Sequence, residues 1–371
     1  MTPIYLDNAA STRPSDDVIA LMTLVMRTAW GNASAQHPQG AAARGHIETA
    51  RTRMLAALGD HGGGDIVWTS GCTEADALAV LGAARKRAGK VVISAIEHPA
   101  VSAAVTRLDR ELIQITPDPT GVLDPDAVAA AARGAAVVAI VMVQNEIGSV
   151  QPIAAIAAAV RAVAPDCHIH VDAAQAFGKI AFDVASLGVD SLAIAGHKLH
   201  GPKGCGALWL RTGVPLEPLW IGGGQQHGLR SGTQDTPGIA GLGLAAEHAV
   251  AALPTARARW LEFAAHVTGK LGARQLVPDH RRSPHILALG FPGVPASALR
   301  SVFASRGVYV STGSACAERD SKPSAVLAAI RLPDDTGMCR LSFGHETTAA
   351  EVEAATQIIA GVVGELSRKP S

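Results

Sequence analysis

Between residues 65 and 211, short apolar runs alternate with alanine-rich stretches, and this alternation constrains the fold more than any other feature of the chain. The runs are rich in Val, Ile and Ala, which predicts buried strands, and the stretches between them predict helices. The predicted strands are DIVWTS (65–70), KVVISA (90–95), AAVVAIVMV (135–143), HIHVD (168–172), DSLAIAG (190–196) and CGALWLR (205–211). Such an order is typical of an α/β fold with a mostly parallel sheet and helices on both faces.

Predicted strands become fewer after about residue 251. The remaining candidates lie at 285–291, 307–312 and 339–344, with helices predicted near 295–306 and 348–366. A chain of 371 residues also exceeds the size at which a single hydrophobic core usually divides. We therefore predict a large domain over residues 15–250 and a smaller α+β domain formed by residues 1–14 and 251–371.

Polar residues follow the ends of several predicted strands, and in a parallel sheet these ends meet at one edge, where ligands bind. Cys72 and Thr73 begin a helix after the first strand, where free backbone N–H groups favour a phosphate, although an ordinary helix cap gives the same pattern. Asp172 ends another strand, so its carboxylate needs a partner, either a protonated ring nitrogen or a structural salt bridge. The same edge is predicted to hold Gln175, His98 and Asn145.

Lys198 lies in the glycine-rich turn AGHKLHGPKGCG between two predicted strands. Loss of water around an amine lowers its pKa and suits it to Schiff-base chemistry with an aldehyde cofactor. A lone lysine in a turn is more often solvated, but the polar residues at the same sheet edge favour the functional interpretation. A second glycine-rich segment, GGGQQHGLRSGTQDTPG (222–238), is typical of an exposed or functional loop.

The balance of charge and the cysteine spacing exclude several classes of protein. Lys+Arg and Asp+Glu number 32 each, so no net charge favours nucleic acid or a membrane surface. The first residues lack the pattern of a secretory signal, and we expect no membrane-spanning segment. The five cysteines are scattered without CxxC spacing, which argues against disulfides and a zinc site. We expect reduced thiols, no metal and a cytoplasmic location.

Eight segments together resemble the cysteine desulfurases of the NifS/IscS type, which are pyridoxal-phosphate enzymes of fold type I. In chain order these segments run from about Tyr5 to about Thr348 and cover nearly the whole sequence. They are YLDNAAST, TSGCTEADALAV, EHPAV, QNEIGSVQPI, HVDAAQAFGKI, GHKLHGPKGCGALWLR, GGGQQHGLRSGT and STGSACAE. No single segment is decisive, but eight in register make the resemblance specific.

The resemblance implies a role for each matching residue. Lys198 would carry pyridoxal phosphate, Asp172 would pair with the ring nitrogen and His98 would stack over the ring. Further cofactor contacts are implied for Gln175, Cys72, Thr73, His197 and Asn145, and for Thr233 supplied by the second subunit of a homodimer. The substrate carboxylate is implied to bind Asn145 and Arg340, because a guanidinium suits a carboxylate.

The reaction implied by the resemblance converts L-cysteine to L-alanine. Cys316, in the small polar loop STGSACAERDSKPS, matches the nucleophile that takes the sulfur as a persulfide. A protein acceptor would then pass the sulfur to iron–sulfur clusters, thio-nucleosides or other products. Two alternatives stay open. One is a pyridoxal-phosphate lyase acting on selenocysteine or cysteine sulfinate, which need not depend on Cys316, and the other is a non-catalytic sulfur-relay subunit.

Some positions depart from the family pattern. Ala195 stands where Ser is usual, which removes one hydroxyl donor to the cofactor phosphate, and Cys72 stands where Ala is usual. His345 replaces a common Arg. The sequence also ends sooner after its last predicted helix than the housekeeping enzymes do, so we expect a dedicated sulfur acceptor rather than a general scaffold protein.

Overall fold

The structure is a computed structural model that describes residues 3–312 and 324–366. Its strands are β1 (Ile4–Tyr5), β2 (Gly64–Thr69), β3 (Lys90–Ser94), β4 (Leu112–Ile115), β5 (Ala135–Val141), β6 (His168–Asp172), β7 (Ser191–Ala195), β8 (Gly206–Arg211), β9 (Arg274–Gln275), β10 (Ile286–Pro292), β11 (Val308–Tyr309) and β12 (Thr336–Ser342). Its helices are α1 (Asp16–Thr28), α2 (Pro38–Ala57), α3 (Cys72–Lys86), α4 (Pro99–Val105), α5 (Pro125–Ala132), α6 (Ile153–Val163), α7 (Val184–Leu187), α8 (Thr236–Leu271), α9 (Ala296–Ser305), α10 (Ala325–Ala329) and α11 (Ala349–Leu366).

The largest sheet in the described residues has the strand order β2-β8-β7-β6-β5-β3-β4. Strand β8 runs antiparallel to both of its neighbours, and the other pairings are parallel. Alternate residues enter opposite cores, because Trp68 and Val138 pack with α2 and α6 whereas Val67 and Val137 pack with α3. The predicted α/β fold, with a mostly parallel sheet covered on both faces, is confirmed.

A separate hydrophobic core surrounds the antiparallel strands β9, β10 and β12. It includes Leu6 near the start of the chain, Leu289 of β10, Phe303 of α9 and Ile359 of α11. The first strand, β1, pairs in parallel with β11 and so brings the start of the chain to this core. These contacts support the proposal that residues 1–14 pack with the C-terminal part as a smaller domain.

Helix α8 contributes to both cores, with Leu242 in the larger and Trp260 in the smaller. We propose that it joins the two predicted domains, and the predicted boundary at 250/251 falls inside it. By length and composition it could cross a membrane, so the expectation that no apolar stretch is long enough is wrong, whereas the absence of a membrane-spanning segment stays a prediction. However, 56% of the apolar 18-residue stretch of α8 is buried inside the protein. Helix α8 packs there against α1, α2 and α11.

Candidate active site

The carboxyl ends of the parallel strands surround a cavity of about 590 Å³. Most of the residues predicted for the site line it, and these are Lys198, Asp172, Gln175, His98, Cys72, Thr73, His197 and Asn145. Thr233 is exposed and does not line it, Arg340 lies beside it, and Cys316 lies outside the described residues. Ser11 and Lys203 also line the cavity. Their segments carry part of the resemblance, but sequence reasoning assigned them no role.

Lys198 ends a short 3-10 turn, Gly196–Lys198, that follows β7 directly. Its Nζ donates hydrogen bonds to the carbonyl oxygens of Ala9 at 2.6 Å and Ala10 at 2.9 Å. Loss of surrounding water, and then the positive charge of Arg340, lower the pKa of Lys198 to about 8. About a tenth of this amine is therefore neutral, and nucleophilic, at pH 7, far more than for a lysine in water.

Asp172 is the last residue of β6 and is 4% exposed. Its Oδ1 accepts a hydrogen bond from the backbone N–H of Ala174 at 2.9 Å and lies 3.5 Å from the Sγ of Cys72. In the described residues no hydrogen bond reaches Oδ2. That oxygen is thus available to a cationic N–H group in the cavity.

His98 is the residue before α4, and its Nδ1 accepts a hydrogen bond from the backbone N–H of Ala100 at 3.1 Å. Burial, partly offset by Asp172, lowers the pKa of His98. A neutral imidazole whose Nδ1 accepts must carry its proton on Nε2. His98 therefore offers one N–H group, and only its Nε2 can exchange a proton with a ligand.

The start of α3 has the features of an anion site. Its N-cap is Gly71, which forms no side-chain cap, and a Cβ added there would meet nothing within 4 Å. On the neighbouring strand, a Cβ at Gly206 would lie 2.6 Å from the Cα of Gly71, so glycine permits this close approach. The helix N-terminus thus presents free N–H groups and its positive dipole end to open space.

His197 and Gln175 provide further polar groups around the cavity. Burial, and then Lys198, lower the pKa of His197 to about 4, so its imidazole is neutral and its Nδ1 lies 3.3 Å from the hydroxyl of Ser11. The Nε2 of Gln175 donates to the Ala9 carbonyl at 2.7 Å, and its Oε1 lies 3.2 Å from the Nε2 of His285. Gln175 is therefore held on both sides.

Arg340, on β12, connects the smaller core with the sheet edge. Its Nη1 donates to the carbonyl oxygen of Asn145 at 2.5 Å, and its Nη2 pairs with Asp7 at 2.5 Å. It is 3% exposed, and its Nε has no hydrogen-bond partner in the described residues. The guanidinium is thus fixed between the Asn145 carbonyl and Asp7, and its Nε is buried.

The fold and cavity have known counterparts. The family model for class-V aminotransferases matches residues 4–355. A protein named cysteine desulfurase from Gluconacetobacter diazotrophicus is 36% identical over 99% of this chain and 94% of its own length. A solved NifS-like protein has a TM-score of 0.91 and 31% identity, covering 98% of this chain and 100% of that one. A structure of SspA in complex with cysteine has a TM-score of 0.82 and 33% identity, and the match covers 91% of this chain and 98% of SspA.

A match over this length shows that the chain belongs to the class-V aminotransferase family. Within that family the chain belongs to the cysteine desulfurases, because relatives with that name match it over nearly their whole length. The resemblance stated from the sequence is confirmed.

Proposed function

We propose that this protein removes sulfur from L-cysteine, releases L-alanine and passes the sulfur through Cys316 to a protein acceptor. One observation carries the proposal. The cavity brings together an amine of lowered pKa, Lys198, a carboxylate with a free oxygen, Asp172, and an imidazole with a single exchangeable proton, His98. The names of the similar proteins support the same reaction.

Pyridoxal phosphate fits this cavity. The open, uncapped start of α3 at Gly71, with Thr73 and His197, would hold the phosphate, while Oδ2 of Asp172 would hold the ring N–H. Lys198 would bind the aldehyde carbon, and the other contacts would come from His98, Gln175, Cys72 and Asn145. When bound, this cofactor supplies a sink for the electrons left when the substrate loses its Cα proton.

The protein's own residues then move protons and bind the substrate. When the amine of Lys198 is not bound to the aldehyde carbon, about half of it is neutral near pH 8 and can accept the Cα proton. The Nε2 of His98 exchanges a proton with the substrate amine or thiol. Asn145, whose backbone carbonyl accepts a hydrogen bond from Arg340, and the guanidinium of Arg340 would bind the substrate carboxylate.

Cys316 would receive the sulfur. Its thiolate attacks the substrate sulfur, the bond between that sulfur and Cβ breaks with its electron pair passing to the carbon skeleton, and a persulfide forms on Cys316. Protonation of Cβ and return of a proton to Cα then give alanine. We propose iron–sulfur cluster assembly, or another pathway that consumes persulfide sulfur, as the destination. The cysteines that the structure describes are free, which supports a reducing, cytoplasmic location.

A homodimer is proposed from surface residues. Trp30, Trp220 and Ile221 are 72%, 52% and 95% exposed, and large apolar side chains in such positions indicate an interface. Thr233 is exposed in the glycine-rich segment 222–238, which follows Ile221 directly, and we propose that a second copy packed there receives Thr233 in its cavity. Light scattering should give twice the chain mass, and Ile221→Lys should shift the protein toward a monomer with weaker cofactor binding.

The decisive experiment incubates the purified protein with cysteine and no reductant. We expect alanine to form and the peptide carrying Cys316 to gain the mass of one sulfur atom. Cys316→Ala should abolish both, whereas a selenocysteine or cysteine-sulfinate lyase would retain turnover of its own substrate. Absence of alanine and of added sulfur from the wild-type protein would contradict the proposed function.

A further inference from the structure

The thiol of Cys72 faces a carboxylate. Cys72 is the first residue of α3, and the sequence predicts that it acts mainly through its backbone near a phosphate. The structure places its Sγ 3.5 Å from Oδ1 of Asp172 and 4.0 Å from Oδ1 of Asp76. Ligating atoms of these three side chains lie within 4.8 Å of one another. The thiol is therefore in reach of two acidic groups beneath the cavity.

The hydrogen bonds of Asp172 show what the thiol does. Oδ1 already accepts from the Ala174 N–H at 2.9 Å, and the thiol is its second donor. Two donors on one oxygen resist rotation of the carboxylate about χ2. The other oxygen then keeps its direction, and it has no hydrogen bond in the described residues.

On the side of the thiol away from Asp172, a buried chain of hydrogen bonds fixes Asp76. Asp76 lies one turn after Cys72 on α3 and is fully buried, and its Oδ1 is 3.0 Å from the Nε2 of His170. The Nδ1 of His170 and the Nε2 of His168 each lie 2.8 Å from the hydroxyl of Ser191. Asp76 therefore cannot turn away, and Cys72 stays between two fixed carboxyl groups.

The electrostatic surroundings keep Cys72 protonated. Burial, then Asp172 and Asp76, raise the pKa of this thiol well above its usual range, and Lys198 offsets this only in part. A protonated thiol is a donor and a poor nucleophile. Cys72 is therefore equipped to hold a carboxylate and not to compete with Cys316 for sulfur.

We propose that Cys72 is a positioning residue whose thiol donates to Oδ1 of Asp172 and so keeps Oδ2 directed at the cavity. Its consequence for cofactor binding rests on the proposed function, but the hydrogen bond itself does not. Asp76 and His170 support the same arrangement from behind. A cysteine at this position thus adds a second donor to the ring-binding carboxylate, which an alanine could not provide.

Infrared spectroscopy of the cofactor-free protein tests the hydrogen bond directly, because the S–H stretch lies in a region without other protein bands. Subtracting the spectrum of Cys72→Ala from that of the wild type isolates the Cys72 band, and Cys167→Ala isolates the band of a second buried thiol, whose Sγ lies 3.7 Å from the backbone carbonyl oxygen of His168. We expect the Cys72 band at lower wavenumber than the Cys167 band. Asp172→Asn should raise it. A Cys72 band at or above the Cys167 position, or one that Asp172→Asn leaves unmoved, would overturn the proposal.

Equilibrium binding of pyridoxal phosphate tests the consequence. Loss of one hydrogen bond corresponds to a rise in Kd of about threefold to tenfold for Cys72→Ala. Cys72→Ser retains a donor and should stay within about twofold of wild type, as should Cys167→Ala. Equal Kd values for wild type and Cys72→Ala would contradict the positioning role. If the wild type makes no alanine but the infrared shift is seen, the proposed function fails and the hydrogen bond stands.

Discussion

Lys198 and Lys179 follow adjacent strands of the large sheet, but they lie in opposite surroundings. Lys198 faces the cavity and donates to two backbone carbonyls. Lys179 is 1% exposed, its Nζ has no hydrogen-bond partner in the described residues, and it lies 5.3 Å from the centre of the Trp260 ring. Burial lowers the pKa of both amines, to about 8 and about 7. A lowered pKa alone therefore does not identify a reactive lysine, because a substrate must also reach it.

The residues around Lys179 explain how the fold tolerates it. Burial, and then Lys179 itself, lower the pKa values of His200, His285 and His345, so these imidazoles are neutral near pH 7. The face of Trp260 provides a weak attraction for any positive charge on the amine. Trp260 belongs to the smaller core, and within residues 3–312 and 324–366 no carboxylate acts on Lys179. Lys179 therefore has a packing role, and the free-energy cost of burying its amine depends on pH.

The largest expected difference between the two lysines is in turnover. Lys198→Ala should lower the rate of alanine formation by at least about 10³-fold, because it removes both the covalent attachment point and the base. Lys179→Met should change the rate by less than about threefold, because no substrate can reach this amine. Steady-state alanine assays on both variants provide the measurement. A large loss of alanine formation in Lys179→Met, with the fold intact by circular dichroism, would contradict the conclusion that only Lys198 takes part in the reaction.

The two lysines should also differ in their reaction with the aldehyde. Cofactor-free protein should take up pyridoxal phosphate at a rate that falls by about tenfold per pH unit below pH 8, because only the neutral amine of Lys198 reacts. Borohydride reduction followed by peptide mass spectrometry should find the label on Lys198. Label on Lys179, whose pKa is the lower, would show that access does not decide reactivity.

The third expected difference is in stability. The pKa of Lys179 is about 7 in the folded protein, compared with 10.5 for a lysine fully surrounded by water, as in the unfolded chain. Between these values the unfolded state binds more protons, so the free energy of unfolding of the wild type should rise with pH relative to Lys179→Met, by up to about 1.4 kcal/mol per pH unit. Below pH 7 the difference should be constant.

Urea denaturation from about pH 6 to about pH 9.5 provides the check, because the charge difference between the folded and unfolded states develops in this range. Lys86→Met, at an exposed site, is the matched control and should show no such trend. If the difference in the free energy of unfolding between wild type and Lys179→Met does not change over this pH range, the amine of Lys179 remains charged inside the protein.

Much of the fold could be predicted from the sequence because the central strands are apolar along their whole length. Strand β4 was missed, since its residues alternate between exposed and half-buried positions at the sheet edge and merge with the helix predicted before it. Helix α8 was missed for another reason. Its first turns are rich in glycine, and only the structure shows why, because a Cβ at Gly243 would lie 2.5 Å from the Cα of Ala50 on α2.

The candidate site was predictable where a polar residue directly follows a strand, as Asp172, His98 and Lys198 do. Contacts between distant segments were not predictable, since the sequence does not show that the Cys72 thiol meets Asp172 or that Arg340 holds the carbonyl of Asn145. These contacts depend on side-chain direction and on the packing of β12 against the sheet edge. Neither leaves a local pattern in the chain.

The hydrogen bonds from Lys198 to Ala9 and Ala10 have a consequence for the start of the chain. Residues 4–5 pair with β11 near the smaller core, while the carbonyls of residues 9 and 10 bind an amine on the large sheet. A ligand that takes this amine removes its hydrogen bonds to both carbonyls and leaves only Gln175 as a donor to that of Ala9, so occupancy of Lys198 and the order of this segment are thermodynamically linked in both directions. Amide hydrogen exchange in residues 6–12 would therefore report on ligand binding without any probe in the cavity itself.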